Sequence, residues 1–351
     1  MSKHKFPYKW YLKDGYPAKG IEPNNLNVFG TFICGGGSTM GYKLAGFEHL
    51  GGVEIDKQVA KVYQLNHNPK YLFNEDIREF NKRTDLPEEL FNLDLLDGSP
   101  PCSTFSMAGS REKAWGKEKQ FREGQAMQTL DDLVFVYCDT ILKLKPKVAI
   151  LENVKGIIQG NAKLYCKKIM QKLDAGGYNV QLFLLNAASM GVPQKRERVF
   201  FIASKKELNY PKLKLEFDEK PITFGEIRDI EGNFFAVTDR QRKLLELYNG
   251  EKTLEQIEKN NFGKGSGYTD NIVPDNDTVP TVTSTGKMFR ACDKSWFSDY
   301  DFKATGTYPI DYDFQDIKPN YLIGMSVPPV MTAQIAHQIY LQWFKTINHA
   351  I

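Results

Sequence analysis

Apolar positions fall in short runs from Leu26 onward, separated by stretches with helical spacing. Leu26 to Ile33 predicts a strand, followed by a glycine-rich turn. Met40 to Phe47 predicts a helix. Gly52 to Ile55 predicts a second strand ending in acids, and Lys57 to Asn66 a second helix. Leu93 to Leu96 is a short apolar run ending at Asp97-Gly98. Leu130 to Leu144 has helical periodicity and Val148 to Leu151 reads as another strand. Leu164 to Leu173 predicts a helix, with strands near Val180 to Leu185 and Val199 to Ala203. Strands alternating with helices predict an α/β fold with a doubly wound, mostly parallel sheet.

The alternation stops after about Ser204. Lys205 to Asn320 holds prolines, one predicted helix at Thr238 to Tyr248, and a glycine-rich loop from Phe262 to Tyr268. This predicts a smaller, irregular domain. Residues 1–27 are an N-terminal extension, 28–204 the main domain, 205–319 the small domain, and 320–351 a return to the main domain. Met331 to Ile347 predicts an amphipathic helix in that return. The aromatic stretch Phe6, Tyr8, Trp10, Tyr11 and Tyr16 is expected to pack against the small domain.

Composition narrows the class. The 351 residues are 41% hydrophobic and 25% charged, which predicts a globular chain. A net charge of +3 gives no general basic character, so any polyanion-binding surface must be local. No stretch approaches the roughly 18 apolar residues needed to span a bilayer. The N-terminus lacks the apolar core of a signal peptide. A cytoplasmic protein is expected. The five cysteines (Cys34, Cys102, Cys138, Cys166, Cys292) include no CxxC pair, which argues against a disulfide framework and a metal site.

Two ends of the sheet carry candidate chemistry. Phe32-Ile33-Cys34-Gly35-Gly36-Gly37 follows the first strand, and its glycines let backbone approach a ligand. Glu54, ending the second strand, suits ribose hydroxyls. Asp76, after the third, suits an adenine amine. Acids after successive strands are how an open α/β sheet grips a nucleoside. The turn alone fits plain loop chemistry or a nicotinamide site as well.

Further on, Asp97-Gly98-Ser99-Pro100-Pro101-Cys102 follows a buried strand, so its prolines hold a thiol at a strand end. Ser106 to Gln125 adds Arg111, Lys113, Lys117, Lys119 and Arg122, which predicts a loop able to close over a polyanion. Glu152, in Leu151-Glu152-Asn153-Val154, ends a neighbouring strand and suits a ring nitrogen. Arg196 and Arg198, in Gln194-Lys195-Arg196-Glu197-Arg198, suit a carbonyl oxygen and a carboxylate. Taken singly, Cys102 reads as a structural cysteine, Glu152 as a strand-end ion pair, and the arginines as a solvated turn.

Together and in order, these segments resemble the DNA (cytosine-5)-methyltransferase family across nearly the whole chain. The resemblance covers Phe32 to Gly37, Glu54, Asp76, Pro101-Cys102, Glu152-Asn153-Val154 and Gln194 to Arg198. It continues through Pro280-Thr281-Val282-Thr283 and Gly324-Met325-Ser326-Val327-Pro328-Pro329. Three positions depart from the family pattern: Cys34 for glycine, Ser103 for glutamine, and Met325 for asparagine.

The resemblance implies a Rossmann-like methyltransferase domain, a target-recognition domain and methyl transfer to C5 of a flipped-out cytosine in duplex DNA. It implies Cys102 as nucleophile on C6, Glu152 at N3 and the exocyclic amine, Arg198 at O2, and Arg196 orienting the pocket. It implies S-adenosylmethionine held by Phe32, Gly36, Gly37, Glu54, Ile55, Asp76, Ile77, Pro101, Leu133 and Ser326, with S-adenosylhomocysteine as product and no metal. DNA contacts are expected from Ser106, Arg111, Lys113 and Arg290, because residues 211–280 carry ten basic against fourteen acidic side chains. A cytoplasmic monomer is expected, nucleoid-associated in a bacterium, and either paired with a separately acting cognate restriction endonuclease or an orphan. The rival readings are a tRNA cytosine-5 methyltransferase, a catalytically silent DNA-binding module, and a nicotinamide oxidoreductase. The last leaves Pro101-Cys102, Glu152 and the arginines without a role.

Overall fold

The computed structural model describes residues 4–101, 118–119, 128–129, 132–231, 237–267 and 270–345. The apolar runs of the first 205 residues become strands β1 (Asn27–Thr31), β2 (Glu48–Val53), β3 (Tyr71–Phe73), β4 (Leu95–Gly98), β5 (Glu118–Lys119), β6 (Gln128–Thr129), β7 (Val148–Val154), β8 (Tyr178–Asn186), β9 (Gln194–Lys195) and β10 (Glu197–Lys205). Between them lie helices α1 (Gly37–Leu44), α2 (Lys57–His67), α3 (Ile77–Lys82), α4 (Leu133–Leu144) and α5 (Lys163–Ala175).

Seven strands form one sheet in the order β3-β2-β1-β4-β7-β10-β8. The pairs β1–β2, β1–β4, β2–β3 and β4–β7 are parallel, and β10 runs antiparallel to β7. The strand order reverses between β1 and β4, which opens a crevice beyond their carboxyl ends. Two acids after β2 and β3, Asp56 and the expected Asp76, act as helix signals. Asp56 caps α2 by accepting from the Gln58 and Val59 amides, and Asp76 caps α3 by accepting from Arg78.

One face of the sheet is sealed by Phe29, Leu96, Leu151 and Phe201, packed with Phe80 and with Tyr137 and Ile141 of α4. The Tyr137 hydroxyl donates to the carbonyls of Leu96 (3.0 Å) and Ile150 (2.8 Å), tying β4 to β7. Its ring lies where a Cβ on Gly98 would come within 2.4 Å. Glycine at the end of β4 is therefore a packing requirement.

The chain divides into two compact units. The larger comprises Pro17–Leu185, Glu197–Glu216 and Ala333–Ile351. The smaller comprises Met1–Tyr16, Asn186–Arg196 and Phe217–Thr332. The divisions thus differ from the expected boundaries after residues 27, 204 and 319. Residues 186–196 and 205–216 change sides, and residues 320–332, expected to return to the main domain, stay in the small unit. The N-terminal aromatics belong to the small unit, where Phe6 and Trp10 are buried and the Trp10 indole donates to the Thr307 carbonyl at 2.9 Å. Residues 186–196 leave the sheet to pair with the small unit. Residues 205–216 follow β10 and stay with the large unit.

The small unit holds α6 (Phe224–Ile227), α7 (Asp239–Glu246), α8 (Leu254–Phe262), β11 (Asn271–Val273), β12 (Val279–Pro280), β13 (Met288–Arg290), α9 (Asp299–Thr305) and α10 (Pro319–Met325). Leu245, Leu254, Ile257, Ile272 and Phe289 form a core under the β11–β13 pair. Thr238, Thr253 and Ser298 cap α7, α8 and α9, so the region is more regular than its sequence suggested. The last helix, α11 (Pro329–Ile339), was expected to be amphipathic. It is buried on every side, including Gln334, His337 and Gln338, and it continues into a π-helical turn at Tyr340–Phe344. Among the described residues, no helix is long and apolar enough to cross a membrane.

Candidate active site

The turn after β1 is tightly wound. Phe32 (φ 55°) and Cys34 (φ 47°) both occupy the left-handed region, which costs a side-chain-bearing residue roughly 1–2 kcal/mol. Gly36 (φ 75°) lies against His67, whose Nε2 would be 2.2 Å from a Cβ there. Burial pushes His67 down to about 3, so the imidazole wedged behind the turn is neutral. Cys34 stands where a glycine would sit without strain. Cys34→Gly is expected to raise stability by about 1 kcal/mol, read as a higher urea midpoint. An unchanged midpoint would remove the strain argument.

Glu54 locks this turn. One carboxylate oxygen accepts the Cys34 amide at 2.9 Å and the other accepts the Asp56 amide at 2.9 Å. Burial pushes Glu54 up to about 7 in spite of these bonds. The Ile55 amide also hydrogen-bonds this carboxylate, which with about four lone-pair sites still keeps acceptor capacity. Asp76 accepts from the Arg78 amide at 2.7 Å and pairs with its guanidinium at 3.2 Å, again with acceptor capacity left. Two carboxylates with spare lone pairs, beside a turn stripped of side chains at Gly35–Gly37, suit the diol and amine of a nucleoside. Ile55 is half-buried and Ile77 buried, so both offer apolar surface beside those acids. Leu133 is enclosed in the core at the start of α4.

The second cluster lies at the ends of β4, β7 and β10. Glu152 and Arg198 form a buried ion pair, with Arg198 Nε 2.9 Å from Glu152 Oε1. Arg198 Nη1 donates to the Glu197 carbonyl at 2.8 Å, and Nη2 donates to none of the described residues. The register explains the pair: Phe200 lies opposite Glu152 and Arg198 opposite Val154, so the arginine reaches diagonally. Asn153 Nδ2 donates to the Pro100 carbonyl at 3.3 Å, tying the Glu-Asn-Val segment to the chain entering Pro101. Cys102, Ser106, Arg111 and Lys113 lie outside the described residues.

Arg196 belongs to the small unit and plays a different part. Its guanidinium donates to the Val282 carbonyl at 2.9 Å and the Gly324 carbonyl at 3.0 Å. Gln194, not singled out from sequence, is buried beside it and accepts the Val282 amide at 3.0 Å. The β9–β12 pairing completes this brace, with Thr281 Oγ1 donating to the Lys195 carbonyl at 2.7 Å. Gly324 has no room for a side chain, since a Cβ would lie 2.3 Å from the Ser284 amide. Gln194 and Arg196 thus knit together three separated segments of the chain. Ser326 is likewise engaged within the small unit, accepting from Tyr308 and donating to the Leu322 carbonyl, each at 2.7 Å.

Arg290 requires correction as a phosphate contact. It is fully buried and pairs with Asp293 (3.0 Å) and Asp301 (3.4 Å). It also donates to the Asp229 carbonyl and lies over the Phe224 ring. Its charge is consumed inside the small unit, because α9 supplies a buried carboxylate that needs a partner.

A mostly parallel sheet whose order reverses between β1 and β4 defines a Rossmann-like α/β protein. The chain belongs to the C-5 cytosine-specific DNA methylase family, whose model matches residues 26–341. It is 31% identical to Type II methyltransferase M.FnuDI of Fusobacterium nucleatum over 61% of this chain and 56% of that protein. It is 27% identical to Type II methyltransferase M.Bsp6I of a Bacillus species over 90% of this chain and 98% of that one. The chain spans about half the length of the first curated relatives it matches. Among solved structures, a protein encoded within an E. coli prophage superposes with a TM-score of 0.68 at 19% identity, covering 91% of this chain and 99% of that one. A Spodoptera frugiperda DNMT2 mutant gives 0.65 at 16% identity, covering 90% and 100%. At these identities the structures support the fold alone.

Proposed function

We propose that this protein methylates C5 of a cytosine in duplex DNA, with Cys102 as nucleophile and S-adenosylmethionine as methyl donor. The buried Glu152–Arg198 pair, tied through Asn153 to the chain just before Cys102, carries the reading. The relatives' naming as Type II methyltransferases supports a role beside a separate restriction endonuclease. When bound, the cofactor supplies an electrophilic methyl group; Phe32, Gly36, Gly37, Glu54, Ile55, Asp76, Ile77 and Pro101 would hold it.

Cytosine C5 is a weak nucleophile until the ring is activated. The Cys102 thiolate forms a bond to C6, and the C5=C6 electron pair moves into the ring. Glu152 takes up a proton from solvent as the base enters and passes it to N3, and is again the carboxylate that Arg198 Nε holds. Arg198 Nη2 donates to O2 of the base. Once C5 carries the methyl group that the cofactor would supply, its proton passes to solvent, the freed electron pair re-forms C5=C6 and expels the Cys102 thiolate, and the N3 proton returns to Glu152. The target base leaves the helix to reach these groups.

A duplex containing 5-fluorocytosine tests the chemistry, because fluorine blocks the final elimination. A denaturant-stable adduct that requires Cys102 and cofactor is expected; its absence sinks the reading. A tRNA run in parallel identifies the substrate class, and methylation of tRNA with none of DNA would replace duplex DNA by tRNA. The cofactor half has its own test. Glu54 has a folded value near 7, above its unfolded value, so its protonated form contributes stability that is lost as pH rises through about 7. Ribose hydroxyls donate to the ionised form, so S-adenosylhomocysteine binding at neutral pH should release part of a proton. Calorimetry in buffers of different ionisation enthalpy reads this, and zero release would remove Glu54 from the ribose site.

A further inference from the structure

We propose that Arg78 is a positioning residue of the cofactor site, which fixes the Asp76 carboxylate for the amine of an adenine ring and anchors it on Asp132. The inference rests on the methyltransferase reading above, with Asp76 as the adenine acid. Asp76 is the N-cap of α3, and its Oδ1 accepts the Arg78 amide at 2.7 Å. That bond alone leaves the plane of the carboxylate loosely set, because a terminal sp³–sp² torsion has broad, two-fold minima. The Arg78 side chain supplies the second constraint. Its Nη1 donates to Asp76 Oδ2 at 3.2 Å and to Oδ1 at 3.4 Å. Its Nη2 donates to Asp132 Oδ1 at 2.7 Å. A guanidinium holds its nitrogens in one rigid plane, so Asp132 fixes the direction from which Asp76 is gripped. Among the described residues Asp76 Oδ2 accepts from Nη1 alone, which leaves it a lone pair for an amine.

Asp132 immediately precedes α4, as Asp76 immediately precedes α3. Polar ties join the two helices along their length. Asn81 Nδ2 donates to the Val136 carbonyl at 3.1 Å, and Thr140 Oγ1 donates to Asn81 Oδ1 at 2.9 Å. Lys143 Nζ donates to the carbonyls of Asn81 (2.8 Å) and Arg83 (2.6 Å). Arg78 closes this seam at the end that carries the cofactor acid. The other ties hold α3 to α4 without it. The Arg78 and Asp132 side chains are 30% and 56% exposed, and a pair so open to solvent adds little to fold stability. Its contribution is direction: Arg78 aims Asp76, and acts on the nucleoside through it.

The experiment compares calorimetric affinities for S-adenosylhomocysteine and for its purine analogue, in which hydrogen replaces the adenine amine. The wild type should prefer the amine-bearing ligand about ten- to a hundredfold, the range for a hydrogen bond to a charged acceptor. Arg78→Met keeps the apolar stem and removes the guanidinium. It should lower that preference about threefold or more, with the loss falling on S-adenosylhomocysteine and not on the analogue. Asp132→Ala leaves Arg78 in place without its second anchor and should shift the preference in the same direction. A purely structural role would weaken both ligands together and leave the preference where it was. An unchanged preference in Arg78→Met overturns the inference. If that variant does not fold, an unchanged preference in Asp132→Ala overturns it instead. A wild type that binds neither ligand overturns the methyltransferase reading and this inference with it, an outcome distinct from binding whose preference ignores Arg78.

Discussion

Exchanging Glu152 for glutamine lowers methyl transfer by about 10²–10⁴-fold, the range expected for loss of a positioned proton donor. The substitution is nearly isosteric. Its amide oxygen still accepts from Arg198 Nε, which wild-type Glu152 meets at 2.9 Å. The guanidinium loses its counter-charge but keeps a hydrogen bond. Cofactor affinity should be unchanged, since Glu54 and the glycine turn lie after different strands. Single-turnover methyl transfer and calorimetric titration with S-adenosylhomocysteine, run on one preparation, check both halves. A variant with wild-type turnover would remove Glu152 from the proton path. One that loses cofactor binding too would point to a collapsed site.

Gly36→Ala is expected to be the most damaging change at the cofactor end. Alanine there meets two costs at once. The backbone is left-handed at φ 75°, which costs about 1–2 kcal/mol. The new Cβ would lie 2.2 Å from His67 Nε2 and 2.7 Å from its Cδ2, and overpacking a buried site costs typically about 1–3 kcal/mol more. His67 cannot swing aside cheaply, because it is buried at the end of α2 with Tyr63 against its ring. The sum is a large part of the roughly 5–15 kcal/mol by which domains are stable. A lowered melting temperature with weakened S-adenosylhomocysteine binding is the expected pair of results. Wild-type values for both would mean that the turn adapts without cost.

The turn shows how local sequence and tertiary packing divide the information. Three consecutive glycines announce a backbone that must pass close to something. That the neighbour of Gly36 is a histidine 31 residues later follows only from the packing of α2. The left-handed angle at Cys34 is likewise invisible in one sequence, although the resemblance marks the position as one where glycine is usual.

The arginines make the same point through charge. Arg196, Arg198 and Arg290 look alike on paper, and charge counts suggested that Arg290 would face phosphate. Tertiary structure assigns all three differently. Arg198 meets Glu152 because an antiparallel register sets them diagonally. Arg196 ties two carbonyls 86 and 128 residues away. Arg290 is spent on Asp293 and Asp301. Burial and partner choice are long-range properties, and no window of sequence contains them. The small unit was poorly legible for a related reason. Its helices are short and capped by single threonines or serines, and much of their order comes from a core that a helical period only hints at.

What the sequence by itself determined was the alternation of strand and helix, the strand-end acids, and the ordered motifs that identify the family. These are local patterns, set by the two periodicities of backbone structure and by residue types that chemistry cannot exchange. What only the tertiary structure decided was the company those residues keep. It set Arg198 against Glu152, braced distant motifs on Gln194 and Arg196, and withdrew Arg290 from the surface. It also set Arg78 between Asp76 and Asp132, the residues that precede two different helices. Each of these depends on strand register and on the packing of segments far apart in the chain.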